Sequence, residues 1–264
     1  MTPAIQILPA ARWTDYELLD SGDGQKLERY GPYTFCRPEP QALWRKALPA
    51  SAWQAGQAVF RASAEESGGH WEYRQAIDPK WPMSYPLTPG QRPLRFWAQT
   101  TPGRHLGVFP EAASHWDWMA DLIARAGRPI QVLNLFGYTG LASLAACAAG
   151  AHVTHVDASR KSVAWARENQ TLSGLQQAPV RWIVEDALKY VQREARRGMK
   201  YDGILLDPPN SAAVPRARSG RCFNPCPGCS RRCKVCSAAP PCLSSSASTR
   251  SRARPCTFPP PWLT

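Results

Sequence analysis

The sequence predicts an α/β fold, a parallel sheet of alternating strands and helices preceded by a small β-rich domain. Two observations predict it. A short apolar run at 130–135 is followed by a glycine turn, a breaker-free helix and a second strand, which together make a β-α-β unit. The same alternation of strand and helix then continues to residue 207, giving the order β-α-β-α-β-α-β with right-handed crossovers expected.

The stretch Val132-Leu-Asn-Leu-Phe-Gly-Tyr-Thr-Gly140 organises the rest. Gly137 and Gly140 bracket a tight turn. Residues 141–149 are rich in Ala and Leu and propagate as a helix, which Gly150 terminates. Residues 152–156 form the next strand, which stops at Asp157, about 20 positions after the turn. Glycines let backbone N–H groups approach a ligand closely, and an acid at that distance accepts hydrogen bonds from ribose hydroxyls. The turn is G-x-x-G rather than G-x-G-x-x-G, so it serves a dinucleotide pyrophosphate poorly. A nucleoside ligand without phosphates fits better, and S-adenosylmethionine (SAM) is such a ligand.

Two later segments agree. Residues 181–186 form a third strand ending in Asp186, placed to meet an adenine amino group, and residues 201–209 form a fourth that ends in Asp207-Pro208-Pro209. Taken together, N-L-F-x-Y-T-G, the two strand-end acids and L-D-P-P resemble the class I SAM-dependent methyltransferases, most closely the bacterial 23S ribosomal RNA methyltransferases. The resemblance covers residues 90–209. It implies a Rossmann-like SAM methyltransferase sheet, left incomplete because the likeness stops after Pro209. It also implies SAM as cofactor, methyl transfer as activity and ribosomal RNA as partner. On that resemblance Asn134, Phe136, Gly137, Tyr138, Thr139, Gly140, Asp157 and Asp186 bind the cofactor. Asp207, Pro208 and Pro209 face the acceptor, and no metal is required. Singly, each acid is as well explained as a helix N-cap or a solvated strand end; jointly, at these spacings, they are not. Competing readings are a methyltransferase for a small molecule or protein, and a Rossmann-like binding module with a metal-binding tail.

Composition narrows the class. The chain has 264 residues, 44% of them hydrophobic, enough for a core. It has no run of 18 apolar residues and no basic-then-apolar leader, so a cytoplasmic protein is expected. The net charge of +12 looks like a nucleic-acid footprint, but its distribution does not. Residues 210–264 hold nine Arg or Lys and no acid, which leaves 23 basic and 20 acidic residues in the remainder. Seven of the nine cysteines also lie beyond 210; only Cys36 and Cys147 precede it.

The first 98 residues read as the β-rich domain, with short apolar patches at 5–8 and 16–19, a turn signal at Ser21-Gly-Asp-Gly24 between two candidate strands, and further strands at 59–61, 71–74 and 93–98. Residues 31–40 read as strand plus loop, and 41–48 as a short helix ended by Pro49. Trp13, Trp44, Trp53, Trp71, Trp81 and Trp97 are placed to stack on bases or, more simply, to pack cores and turns. Arg92, Arg95 and Arg104 are candidates for phosphate contact or plain surface. His105-Leu-Gly-Val-Phe-Pro110 resembles the H-x-G-x-F-P segment that precedes the catalytic domain in this family. The amphipathic helix expected at 111–126 places Trp116, Met119 and Ile123 on one face, either as a lid over the cofactor or, the favoured reading, packed on the sheet.

After Pro209 the pattern changes to Ser, Arg, Pro, Ala and Cys. Cys222-x3-Cys226-x2-Cys229-x3-Cys233-x2-Cys236 contains two C-x-x-C pairs, but only three residues separate them, where a zinc ribbon needs about 15 to 20. The genetic code gives a different account. Every cysteine codon, read one base earlier, encodes Leu, Met or Val, and the 4-3-4-3 spacing becomes that of an amphipathic helix. The tail therefore reads as a shifted frame, from a one-base deletion near codon 210. The chain would then lack part of its sheet and be inactive. A metal-binding tail is the competing account.

Overall fold

Alternating strands joined by tight turns build the N-terminal part of the chain. The computed structural model describes residues 7–10, 12–63, 68–87 and 92–208. Strand β1 (Tyr16–Gly22) pairs antiparallel with β2 (Gln25–Tyr30), and β2 with β3 (Tyr33–Pro38). The first hairpin turns through Asp23 at φ 49° and Gly24 at φ 72°, the positive-φ pair that suits the strand twist.

The helix expected at 41–48 does not form. The Asp20 carboxylate accepts the backbone N–H groups of Ala47 (3.1 Å) and Leu48 (2.8 Å) and the Trp53 indole N–H (3.0 Å). Helix α1 (Ala50–Gln54) begins only after Pro49, because a residue before proline is pushed away from the helical region. Strand β4 (Ala58–Ala62) then joins β3 in parallel, and β5 (Gly69–Tyr73) closes the sheet in the order β1-β2-β3-β4-β5.

Strand β6 (Trp81–Tyr85) pairs with β7 (Leu94–Ala98) in a two-stranded sheet. Pro82 hides β6 from a sequence reading, since proline donates nothing to a ladder. It is tolerated here because the pair has only edges and Pro82 faces solvent. A 3-10 turn (Pro110–Ala112) leads into α2 (Ala113–Arg125), which buries Trp116, Met119 and Ile123.

The remaining elements alternate: β8 (Gln131–Leu135), α3 (Leu141–Ala148), β9 (His152–Asp157), α4 (Arg160–Leu172), β10 (Val180–Val184), α5 (Ala187–Arg196) and β11 (Gly203–Leu206). All four strands are parallel, in the order β10-β9-β8-β11. The chain moves outward from β8 through β9 to β10, then returns to the other side of β8. That reversal is a topological switch point, where α/β sheets bind ligands beyond the carboxyl ends of their strands.

One apolar cluster joins these parts. It runs from Tyr30 and Phe35 in the N-terminal sheet, through Trp81 and Phe96 of the hairpin and Trp116 of α2, to Leu144 and Val153. A buried ion pair accompanies it: Arg37 Nη2 lies 2.7 Å from Glu28 Oε2, and Glu28 also accepts the Tyr16 and Tyr30 hydroxyls. Arg37 Nη1 donates to the Arg104 carbonyl at 2.9 Å, tying the first sheet to the segment that enters residues 105–110. The pair keeps its lone pairs and donors satisfied, the condition under which a buried ion pair is tolerated. Among the described residues, no helix is long and apolar enough to cross a membrane. Pro209 and the expectations for 210–264 lie outside the described residues.

Candidate active site

The site begins where β8 ends. Phe136 and Tyr138 sit at φ 55° and 49°, and Gly140 at φ 82° serves as the N-cap of α3. Two non-glycine residues in the left-handed region within one turn represent stored backbone strain, of the kind that clusters at ligand sites. Gly140 has a second reason to be glycine, since a Cβ there would lie 2.7 Å from Ala166 Cβ. Gly137 differs from it. Its φ is not positive, so the turn alone does not demand glycine; a Cβ there would lie 2.3 Å from the His155 ring.

Asp157 closes the turn from β9. Its Oδ2 accepts the Tyr138 backbone N–H at 2.9 Å, and its Oδ1 accepts the Ser159 N–H at 2.8 Å. Each carboxylate oxygen keeps a further acceptor site. The group is half-buried at the strand end, so it can hold the turn and still accept from a diol.

The other predicted residues divide by what they touch. The Asn134 amide points into the protein and donates to Ser143 Oγ at 2.9 Å. The Thr139 hydroxyl is buried and donates to the Gly107 carbonyl at 2.6 Å. Both side chains shape the site from behind. Asp186 is exposed at the end of the β10 segment and caps α5, accepting the Lys189 N–H at 2.9 Å. Its neighbour Glu185 pairs with Arg193. Asp207 and Pro208 are exposed just past β11, beside the glycine turn across the switch point; Pro209 lies outside the described residues.

An aromatic row borders the turn. His105 packs at a tilt against Phe109 (4.8 Å between centroids), Phe109 against Tyr138 (5.7 Å) and Tyr138 against Trp165 (6.2 Å). Burial pulls the His105 pKa down to about 4 with help from Arg37, and burial beside Asp157 pushes Tyr138 up to about 12. Both side chains are therefore neutral near pH 7. The segment 105–110 is clamped at Gly107, where a Cβ would lie 2.3 Å from Trp165. So the H-x-G-x-F-P stretch lies against the glycine turn, and the helix after it packs its apolar face into the core.

Sequence reasoning missed the residue that binds hairpin to site. Asn169 of α4 is fully buried; its amide donates to the Thr139 carbonyl (2.9 Å), and its carbonyl oxygen accepts the Trp97 N–H (2.9 Å). An Asn in mid-helix, one turn from Trp165, was the available signal. Among the described residues, no group of three or more His, Cys, Asp or Glu is placed to hold a metal ion.

A glycine turn after the central strand, an acid at the end of its neighbour and Asp207-Pro208 just past β11 across the switch point define a class I SAM-dependent methyltransferase fold. Comparison with known proteins agrees. A family model described as "Conserved hypothetical protein 95" matches residues 114–216. The chain is 52% identical to a structure of the SAM-dependent methyltransferase from Agrobacterium tumefaciens, with a TM-score of 0.68 over 74% of this chain and 60% of that one. A putative SAM-dependent methyltransferase from Streptococcus mutans shares the fold at 20% identity, with a TM-score of 0.55 over 75% of this chain and 53% of that one. Among curated relatives, the ribosomal RNA large subunit methyltransferase K/L of Shewanella baltica is 39% identical over 89 residues, 33% of this chain. The chain spans 12% of that relative's length and 60% of the Agrobacterium chain.

Proposed function

We propose that the chain is a SAM-dependent methyltransferase whose acceptor is a base of RNA, ribosomal RNA foremost, and whose compartment is therefore the cytoplasm. The observation that carries the reading is the Asp157 carboxylate, fixed by two backbone N–H groups at the mouth of the glycine turn with acceptor sites to spare. The residues present fit SAM. Asp157 would take the ribose hydroxyls, the turn Gly137 to Gly140 the methionine part, and Asp186 the adenine amino group beside its capping bond. Bound there, SAM supplies an activated methyl group for displacement at carbon.

The protein's share of such a reaction is mainly positioning, the largest lever available when no protein group enters the chemistry. Asp207 and Pro208 leave β11 next to the turn, so an acceptor base held there faces the donor side. Proline has no N–H, which leaves the exit carbonyls free to accept from a base amino group. The resemblance to ribosomal RNA methyltransferases supports RNA as acceptor. The near balance of 23 basic and 20 acidic residues before position 210 favours a second reading, a small-molecule or protein acceptor.

Incubating the chain, with its reading frame restored near codon 210, with radiolabelled SAM and either deproteinised ribosomal RNA or RNA-free cell extract separates the two. Label in RNA is expected. Label confined to protein or small molecules would establish the second reading.

A further inference from the structure

Beneath the glycine turn lies a polar row that the proposed chemistry does not use. The parallel register sets Asn134, His155 and Trp182 side by side on β8, β9 and β10. Ser143 of α3 faces them. Asn134 Nδ2 donates to Ser143 Oγ at 2.9 Å, and Ser143 Oγ lies 3.0 Å from His155 Nδ1. Relative exposure is 5% for Asn134 and 0% for Ser143 and His155. The His155 ring meets the Trp182 ring at a tilt, with centroids 4.7 Å apart, and its Nε2 is buried with no hydrogen-bond partner.

Burial alone draws the His155 pKa down to about 4, so the imidazole is neutral near pH 7. Nδ1 shares a hydrogen bond with Ser143 Oγ, and Nε2 is left buried without a partner whichever ring nitrogen carries the proton. A core selected for stability alone would not keep that unpartnered nitrogen; an apolar side chain of similar volume would fill the space without a stranded polar atom. What the ring does touch is Gly137: a Cβ there would lie 2.3 Å from Cε1 and 2.5 Å from Nδ1. The imidazole is the floor on which the turn rests, directly under the strained pair Phe136 and Tyr138.

We propose that His155, oriented by Ser143 and Asn134, is a positioning residue that holds the glycine turn in the shape that receives the methyl donor. The proposal rests on the SAM-dependent reading above. His155 touches neither donor nor acceptor; it acts through Gly137. A rigid floor matters because a misplaced binding loop loses its ligand contacts even when the fold survives.

The test uses the full chain, S-adenosylhomocysteine as probe in titration calorimetry, and thermal unfolding alongside. His155→Met removes the hydrogen bond and the stranded nitrogen while filling the space. It is expected to bind the probe roughly ten-fold more weakly with an unfolding midpoint unchanged or raised. His155→Asn leaves a smaller side chain that still offers Ser143 a polar partner. It is expected to be less stable than His155→Met yet to bind more tightly. Affinity and stability thus rank the two variants in opposite order. Wild-type affinity in His155→Met, or affinity that merely follows stability, would overturn the proposal. Failure of the wild-type chain to bind the probe would overturn the methyltransferase reading itself, and this proposal with it. The 15N spectrum of histidine-labelled protein, with the ring assigned by its loss in His155→Met, is expected to show a neutral ring at pH 5.5. A ring that titrates near its ordinary pKa would also overturn the proposal.

Discussion

Gly137 lies against the ring of His155, close enough that a Cβ would come within 2.3 Å of Cε1. The ring is fully buried between Ser143 and Trp182 and has nowhere to go. Gly137→Ala is therefore expected to destabilise the fold by about 1–3 kcal/mol, the usual cost of overpacking. Probe binding should fall with it. Because Gly137 carries no positive φ, that cost is steric and should be shared with its neighbour. In a double-mutant cycle with His155→Ala, the combined variant should be more stable than the sum of the single effects by about 1 kcal/mol or more. Additive effects in urea unfolding would show that the clash is relieved elsewhere.

Asp157 supports the second prediction. Its two oxygens each hold one backbone N–H and face the mouth of the turn. Asp157→Asn keeps the size but replaces one acceptor with a donor, which then meets an N–H. Hydrogen bonds to a charged acceptor contribute about 1.5–3 kcal/mol, so S-adenosylhomocysteine should bind about 10–100-fold more weakly by calorimetry. Unchanged affinity would remove Asp157 from the ligand contacts and leave it a turn-holding residue.

These two residues also show what the sequence could and could not reveal. Glycine spacing and a strand-end acid are local signals, so the unit β8-α3-β9 was legible almost to the residue. The expected helix at 141–149 corresponds to Leu141–Ala148, and the expected strand at 152–156 to His152–Asp157. Side-chain direction was not legible. Asn134 and Thr139 read as cofactor contacts because they stand in the motif, yet their polar atoms face Ser143 and the Gly107 carbonyl. Strand β6 was hidden by Pro82. The helix expected at 41–48 was lost to a single remote carboxylate, Asp20, which captures two backbone N–H groups there. In each case the deciding partner is distant in sequence.

Asn169 offers a third test. Its side chain bridges the Thr139 carbonyl in the glycine turn and the Trp97 N–H in the β6-β7 hairpin, and it is fully buried. Asn169→Ala strands one acceptor and one donor. An unsatisfied buried polar group costs about 1–3 kcal/mol, so a total loss of about 2–4 kcal/mol is expected in chemical denaturation. Asn169→Asp should retain the bond from Trp97 and lose the one to Thr139, giving an intermediate value. A loss below about 0.5 kcal/mol for Asn169→Ala would mean that water replaces both bonds.

The buried histidine sets a pH dependence whose sign can be worked out. In the unfolded chain His155 titrates at its ordinary value of about 6.5; in the folded chain burial lowers it to about 4. Above pH 6.5 both states are neutral and the group contributes nothing. As pH falls from about 6.5 to about 4, the unfolded chain takes up a proton that the folded chain refuses, so stability declines across that window, by at most about 3 kcal/mol. Below pH 4 the contribution is flat. His105, lowered to about 4 by burial and by Arg37, adds a slope of the same sign. Urea midpoints measured from pH 7.5 to 4.5 should therefore fall more steeply for the wild type than for His155→Met, which keeps only the His105 share among these two. Parallel curves would mean that His155 gains a proton in the folded state without penalty.

The last prediction concerns residues 210–264. All seven cysteines there come from codons that, read one base earlier, encode Leu, Met or Val, while basic residues number nine and acids none. With suitable codons, restoring one base near codon 210 allows the continuation D-P-P-K-F-G-R-G-P, which resembles the ribosomal RNA methyltransferases in which D-P-P precedes further strands. The chain as written and a version with the frame restored should then differ sharply in labelling of ribosomal RNA from radiolabelled SAM. The restored version is expected to be active and the written one to fall at least about a hundred-fold below it, because a misassembled site loses its alignment of donor and acceptor. Asp207→Ala in the restored version should abolish transfer while leaving S-adenosylhomocysteine affinity within about two-fold, since Asp207 stands on the acceptor side. Equal activity of the two versions, or about two or more equivalents of zinc or iron on the purified written chain, would instead make the cysteine tail a functional metal-binding segment.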